Sequence, residues 1–538
     1  MTHHYILVHP QTGNPTSACN LQQKSNMAKP HEKLAASLAK LKSLQEGGRR
    51  VFRSIELTRV HRERLLRNGF LREVIKGWVI SSSPGADPGD TTSWFASFWE
   101  FCATYCTARF GDAWHLSPEQ SLLLHAESTV IPRQIVIYTP KGGNNEVELL
   151  FGISLYNLRQ KDMPADEDVT TQDGLRLLVP EAALIKVPEA FFVRNPVEAQ
   201  IVLSGVRDAS DVLGRLLDGG HSSYAGRLAG AFRRIGRAAM ADELLKVMKS
   251  AGYDVRESDP FEPAQEFGVL KQTLEPISRR LQSLWETLRE PAISAFPKSP
   301  QLCPESRAYL SFVDGIYLND AYHSLSIEGY RVSPGLIERV RSGNWDPENN
   351  EADRRSRDAL AARGYWQAFQ LVRETVGEVI GDANPGDLGR DVHRDWYRAL
   401  FQPCVAAGLI SASVLAGYRN EAVFLRGSRH VPPRSEAVRD AMPAMFDLLE
   451  KDTVASVRAV LGHWLFGYIH PYPDGNGRMA RFVMNVMLAS GGYSWTIIRV
   501  QDRDAYLAAL ECASVDQDIE PFARFVAERV ASSQEQMG

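Results

Sequence analysis

No stretch of this chain approaches the roughly 18 consecutive apolar residues that a membrane-crossing helix needs; even Phe482–Leu488 is interrupted by Asn485. Cysteine is scarce. Cys19, Cys102, Cys106, Cys303, Cys404 and Cys512 are scattered over 538 residues, with no CxxC spacing, which excludes a disulfide framework. The first residues, with His3, His4 and His9, lack the basic-then-apolar order of a secretory leader. Walker A, HExxH and GxSxG patterns are missing as well. What is present is an ordinary globular balance, 44% hydrophobic and 23% charged, and that excludes a largely disordered chain. A soluble, cytoplasmic protein of several domains is expected, with no membrane partner.

Negative charge is also missing where it would be expected. Between Met27 and Ile80 there are 13 Lys and Arg against 5 Glu and no Asp. That segment carries +8 in a chain whose total is −4. A basic module on an acidic body is the footprint of a phosphate backbone, because phosphate contacts supply most non-specific affinity for nucleic acid. A solvated basic face gives the same count.

The order of elements can be read along the chain. Residues 1–26 are polar and aperiodic and are expected to be a disordered tail, with Met27 a plausible start. Leu34, Leu38, Leu41 and Leu44 recur at helical spacing until Gly47-Gly48. A second helix over Leu57–Asn68 carries Arg59, Arg62, Arg64 and Arg67, and two strands flank Lys76-Gly77. This order resembles a winged helix-turn-helix over residues 27–90, with Arg59, Arg62, Arg64, Arg67 and Lys76 as candidate DNA contacts.

From 91 to 261 a mixed α/β region is expected. An aromatic helix spans Ser93–Phe110, with Cys102 and Cys106 facing the core, and a hairpin joins Arg133–Thr139 to Glu146–Leu155 around Gly142–Asn145. Leu65–Gly69, Lys76–Val79 and Gly226–Arg234 together resemble the AbiEi-type antitoxin and transcriptional-regulator family. That resemblance implies duplex DNA as a partner and carries no catalytic residue. Residues 262–305 read as a helix and a linker with Pro291, Pro297, Pro300 and Pro304. Helical periodicity then dominates from 306 to 538, apart from a strand-like stretch at Ala422–Val431. The fold class expected is multidomain α+β, ending in an all-α domain with a β-hairpin.

The chemistry concentrates in His470-Pro471-Tyr472-Pro473-Asp474-Gly475-Asn476-Gly477-Arg478-Met479-Ala480-Arg481. A buried helix before it ends at His470, the prolines enforce an extended loop, and Asn476-Gly477 opens a second helix. Free N–H groups at that start form an anion site. Arg478 and Arg481 on its first turn oppose the helix dipole and suit an anionic ligand. Asp474 suits a Mg²⁺ that bridges phosphate oxygens, and His470 suits a general base toward a hydroxyl. Gly475–Ala480 also fits the dinucleotide pattern GxGxxA, which must follow a strand and here follows a helix. A phosphohydrolase or nuclease using His470 and Asp474 fits the same chemistry, whereas His463 and His430 read as structural.

This stretch is similar to the Fic-family motif HPFx(D/E)GNGRxxR, with Tyr472 at the Phe position. The likeness extends over about Ser306–Val530 and implies transfer of AMP from ATP to a protein Ser, Thr or Tyr hydroxyl. It implies that His470 is the base, that Asp474 binds Mg²⁺, and that Gly475, Asn476, Gly477, Arg478 and Arg481 hold the phosphates. It further implies that Tyr506 lines an adenine pocket and that the segment around Val423–Val431 is a flap pairing with the target. Ser324-Leu325-Ser326-Ile327-Glu328-Gly329 resembles the family's inhibitory sequence (S/T)xxxE(G/N), in which Glu328 would take Arg481 from the γ-phosphate. Two other outcomes stay open: a DNA-binding regulator whose Fic domain is a sensor, and an enzyme that removes the modification. A homodimer is also open.

Overall fold

The computed structural model describes residues 30–85, 89–263, 266–268, 270, 274–300, 306–345 and 356–537. The tail over 1–26, Met27, Cys19 and Cys303 lie outside the described residues.

The basic segment forms the two helices and two strands expected of it, α1 (Pro30–Leu44), α2 (Arg59–Arg67), β2 (Leu71–Ile75) and β3 (Trp78–Ser81), and adds a strand the sequence pattern does not predict, β1 (Val51–Arg53). The strands make an antiparallel sheet in the order β1-β3-β2. Leu41, Phe52, Leu57, Leu65, Leu71 and Val79 close a small core beneath it. Helix α3 (Thr92–Phe110) packs its aromatic face on the sheet, with Trp78 edge-on to Phe101 and Tyr105 at 5.9 and 5.8 Å. Its Glu100 carboxylate accepts the amides of Arg50 and Val51 at 3.1 Å, which satisfies donors at the sheet edge. Cys102 and Cys106 are buried on this helix as expected. Burial pushes both thiols well above the usual thiol range, so neither is a reactive thiolate.

The next sheet corrects the expected hairpin. Strands β4 (His115–Leu116), β5 (Gln134–Thr139), β6 (Asn145–Glu148) and β7 (Ser154–Arg159) lie in the order β4-β5-β7-β6. β5 pairs with β7 in parallel, and β6 pairs antiparallel with β7 rather than with β5. The reason is burial. Ile135 and Ile137 are fully buried and hold β5 inside the sheet, while Glu146 and Glu148 suit the exposed edge. Helix α4 (Pro118–His125) follows β4, and a short pair, β8 (Val169–Gln172) and β9 (Leu175–Leu178), leads into helices α5 to α10: Pro180–Lys186, Ala190–Arg194, Pro196–Gly205, Ser210–Asp218, Ser222–Arg234 and Ala238–Ser250.

Helix α11 (Pro276–Ser294) does not stop at Pro291 as the linker reading expects. The proline enters only at the last turn, where Ala295 still donates to its carbonyl at 3.2 Å, so few helix bonds are lost. α11 is buried along Ile277, Leu281, Leu284 and Leu288 and lies between the two halves of the chain. The largest apolar core runs without interruption from Leu122 to Val530. It includes α12 (Ser306–Ile327), α13 (Pro334–Arg341), α14 (Arg357–Ile380), α15 (Pro385–Ala406), α16 (Val438–Lys451), α17 (Ala455–Ile469), α18 (Asn476–Ala489), α19 (Arg503–Glu511) and α20 (Glu520–Met537).

The strand pair expected within Ala422–Val431 is not formed. Among the described residues, its one β contact is an isolated bridge from His430 to Val130, in the other half of the chain. Ile131 donates to Arg429 at 2.9 Å and Val431 to Thr129 at 2.7 Å. Phe424 and Val431 pack against the core that α3 shares with the first two sheets. The alternation is satisfied across the chain rather than by the segment folding on itself.

Candidate functional site

Helix α17 is buried over nearly its whole length, because its residues are apolar on every side. It ends at His470, which adopts the left-handed conformation with φ 51° and ψ 60°. The turn delivers the imidazole, partly exposed, to the mouth of the loop. Its Nδ1 lies 3.3 Å from the Gly467 carbonyl, which places the proton on Nδ1 and leaves a lone pair on Nε2. Burial, reinforced by the Arg419 cation, pulls the imidazole down to about 4, against smaller upward effects from Glu328 and Asp474. His470 is therefore neutral at neutral pH.

The loop is stapled from inside. Tyr472 is fully buried and stacks on Tyr397, with ring centroids 3.7 Å apart and planes 7° from parallel. The Asn476 side chain bonds both ways to Tyr472, accepting from its amide at 2.9 Å and donating to its carbonyl at 2.7 Å. The Asn476 side chain is thus spent on the loop, and only the backbone of the Asn476-Gly477 turn is left to face a ligand. Gly475 has φ 80°, and a Cβ there would press within 2.8 Å of the Phe401 ring. At Gly477 a Cβ would collide with the Glu328 carboxylate, so the glycine is what lets an acidic group reach the start of α18.

Arg481, 5% exposed, donates to Ser324 Oγ at 2.9 Å, to the Ser324 carbonyl at 3.1 Å and to Glu328 Oε1 at 2.8 Å. The sequence expectation that Ser324, Glu328 and Arg481 meet is met geometrically, because Ser324 lies on α12 and Glu328 just beyond its end. Gly329, with φ 84°, closes that helix end. Burial opposes both charges, yet the Arg481 and Arg478 cations hold the Glu328 carboxyl below its usual range, and Glu328 holds Arg481 up. Asp320 beneath Ser324 anchors α12 by accepting from Tyr365 at 2.6 Å and Trp495 at 3.1 Å.

Arg478 is 1% exposed, between the Tyr330 and Phe401 rings at 5.3 and 5.0 Å. Its nearest carboxylate is Asp474, at 3.8 Å. Arg478 Nε and Nη2 and Arg481 Nη1 are buried with no hydrogen-bond partner among the described residues. Unpaired buried donors are costly, and Arg481 Nη1 and Arg478 Nη2 stand 3.3 and 3.4 Å from where Cβ atoms at Gly477 and Gly475 would lie. Asp474 is about half exposed at the lip, with one oxygen bonded to the Gly475 amide at 2.7 Å. Its other oxygen suits a hard cation. Tyr506 does not form an open wall. It is 3% exposed, enclosed by His463, Phe522 and Phe525, and its hydroxyl pairs with His463 Nε2 at 2.7 Å.

Sequence reasoning missed Tyr330, Phe401, Tyr397 and Arg419, which pack or bond to the loop from distant positions. No spacing rule links them to the motif. Nearer the start of the chain, the candidate DNA contacts divide. Arg64 donates to the Lys33 carbonyl and Ser37 Oγ at 2.8 Å, and Arg62 to the Ser54 carbonyl at 3.0 Å. These two hold α2 in place. Arg59, paired with Glu63 at 2.7 Å, and Arg67 and Lys76 are exposed.

Residues 388–488 match the Fic/DOC family. Over 227 residues the chain is 46% identical to a protein adenylyltransferase Fic of Nematostella vectensis, covering 39% of this chain and 46% of that protein. Protein adenylyltransferase fic-1 of Caenorhabditis elegans is 32% identical over 234 residues, covering 40% of each. The chain spans about half the length of the curated relatives it matches. Among solved structures, Fic-1 (residues 134–508) of C. elegans overlaps at TM-score 0.35 and 16% identity, covering 61% of this chain and 91% of that one. That overlap is too loose to carry a point of arrangement. A Fic domain lies within this chain, and its homologues are protein adenylyltransferases.

Proposed function

We propose that the protein transfers AMP from ATP to a Ser, Thr or Tyr hydroxyl of a protein, and that it inhibits itself through Glu328. The observation that carries this reading is the neutral His470 imidazole beside a helix start whose arginines hold unpaired, buried donors. His470 Nε2 takes the proton of the incoming hydroxyl. The hydroxyl oxygen bonds to the α-phosphorus, the bond to the β-phosphate oxygen breaks, and pyrophosphate leaves. The backbone at Asn476-Gly477 and the free nitrogens of Arg478 and Arg481 hold the phosphates. Asp474, whose carboxylate is about half exposed, would hold Mg²⁺, which supplies charge neutralisation on the phosphate oxygens when bound. Glu328 lies against Gly477 and engages Arg481, so a carboxylate stands in the place an anionic phosphate would take.

The test is incubation of the full chain, unaltered and Glu328→Gly, with ATP, Mg²⁺ and a cell extract, followed by mass spectrometry. AMP-bearing hydroxyls that disappear with His470→Ala support the reading; none in either protein refutes it. We further propose that the basic module binds duplex DNA through Arg59, Arg67 and Lys76, three of its exposed cations. A salt-sensitive shift of a DNA duplex by the full chain would support that part.

A further inference from the structure

Helix α17 leaves carbonyl groups at its C-terminus that need donors. Glycine most often supplies the left-handed residue that follows such a helix. Here the residue is His470, with φ 51°, a conformation that a side-chain-bearing residue holds only where its surroundings over-determine it. Arg419 provides those surroundings. Its Nε donates to the His470 carbonyl at 2.8 Å, its Nη2 to the Ile469 carbonyl at 3.4 Å, and its backbone amide to the Pro471 carbonyl at 2.9 Å. The rest of the fork reaches the Glu421 carbonyl at 2.9 Å and the Pro433 carbonyl. Arg419 is 2% exposed, and every hydrogen bond it makes among the described residues goes to a carbonyl. An arginine satisfied in this way serves backbone geometry, using five donors in a rigid plane that lysine lacks.

We infer that Arg419 is a positioning residue for His470, clamping three consecutive carbonyls so that the imidazole stays in its left-handed turn facing the loop. The inference rests on the reading of His470 as the proton acceptor. Four charged or titratable groups face His470: Arg419, Glu328 beyond the end of α12, Asp474 on the same loop, and His430 from the segment before α16. Arg419 is the cation that resists protonation of the imidazole, after burial itself. Burial pushes Arg419 down to about 10, so it is still charged at neutral pH. The ATP side of the loop is held independently, by Asn476 on Tyr472 and by Arg481 on Ser324.

The test uses the full chain carrying Glu328→Gly, with Arg419→Gln and Arg419→Lys added separately. Transfer kinetics are measured alongside NMR titration of the His470 imidazole, identified by its loss in His470→Ala. Arg419→Gln is expected to lower kcat on the order of 10²-fold, the effect of misplacing a reacting group by about 1 Å. KM for ATP should stay within about twofold, and the His470 titration should move to higher pH. Arg419→Lys keeps the charge but not the fork, so its titration should stay low while kcat remains depressed. If Arg419→Gln leaves both kcat and the titration unchanged, or raises KM for ATP with kcat intact, the inference is overturned. Where Arg419→Gln does not fold, Arg419→Lys decides by kcat, and unaltered kcat overturns the inference. Should His470→Ala itself label targets at full rate, the base reading fails. The titration then still decides whether Arg419 sets the imidazole's surroundings.

Discussion

Two arginine-bearing helices far apart in the chain use their cations in opposite ways. In α2, Arg62 and Arg64 spend their donors on neighbouring carbonyls and a serine, and Arg59 pairs with Glu63 in solvent. In α18, Arg478 and Arg481 are almost wholly enclosed yet retain nitrogens with no hydrogen-bond partner among the described residues. A surface pair such as Arg59–Glu63 contributes little, because solvent screens it. A buried donor left without an acceptor costs roughly 1–3 kcal/mol. Enclosed, unfinished hydrogen bonding therefore points to a ligand far more sharply than a count of positive charges does. The +8 module is the more basic region, and the loop after α17 is the better-specified anion site.

The comparison breaks first if the enclosed arginines lack a catalytic partner. His470→Ala should lower transfer by roughly 10²–10⁴-fold, the usual worth of a positioned acid–base group, with ATP affinity nearly unchanged. Isotope-labelled AMP incorporation and calorimetric ATP binding check the two halves. A 10²-fold loss of ATP affinity would instead mean that His470 holds the phosphates.

The next effect concerns what now occupies the site. Removing one partner from an enclosed ion pair costs about 3–5 kcal/mol, and even ~3 kcal/mol of competition suppresses binding by about two orders of magnitude. Glu328→Gly should raise AMP incorporation by about 10²-fold, and Arg481→Ala added to it should cancel the gain. Ser324→Ala should give a smaller rise, because Ser324 accepts from Arg481 and does not fill the anion position. A Glu328→Gly protein no more active than the unaltered chain would reduce the Glu328–Arg481 bridge to a structural contact.

How much of this contrast is legible without coordinates depends on how local the determinant is. The boundaries of α1, α2, α3 and α17 follow from apolar spacing and from the glycines and prolines beside them. The site loop follows from Pro471, Pro473 and Gly475–Gly477, because these residues restrict the backbone wherever they stand. Partners are not written locally. Glu146–Leu155 reads as strand, but that β6 joins β7 and not β5 depends on which faces are buried. Ala422–Val431 reads as a hairpin, whereas among the described residues its one β contact is with Val130. Arg419 stands 51 residues before His470, and nothing in its neighbourhood marks it as the cap of α17. In the same way, α2 displays four arginines in its sequence without showing that Arg64 is consumed by α1.

Outside the basic module the interior holds buried histidines, and acid should expose them. Burial pulls His115 and His393 down to about 4, as with His470, and His430 and His463 to about 3. An unfolded histidine binds its proton near 6.5. Between about pH 6.5 and 4 the unfolded chain therefore binds more protons than the folded one, and stability falls as pH falls through that window. Urea midpoints should drop steeply from pH 7 to pH 5. A midpoint that is flat over that range would mean these histidines are not sealed. Transfer by the Glu328→Gly protein should keep its rate further into acid than an exposed histidine would allow, until the fold is lost.

The smallest effects separate the arginines of α2 from one another. Arg64→Met removes a guanidinium that joins α2 to Lys33 and Ser37, so it should cost about 1–3 kcal/mol of stability. Arg67→Ala removes an exposed cation and should leave stability within about 0.5 kcal/mol. For DNA the ranking reverses. If the module grips phosphates, Arg67→Ala and Lys76→Ala should each weaken binding uniformly across sequences and reduce the steepness of the salt dependence by about one counterion. Arg64→Met should leave that steepness unchanged, because its donors already have acceptors within the fold. Affinities for one DNA duplex at three salt concentrations, with thermal melts of the same proteins, check both rankings. If Arg64→Met flattens the salt dependence while Arg67→Ala and Lys76→Ala do not, the exposed side of α2 and the hairpin is not the phosphate-facing side.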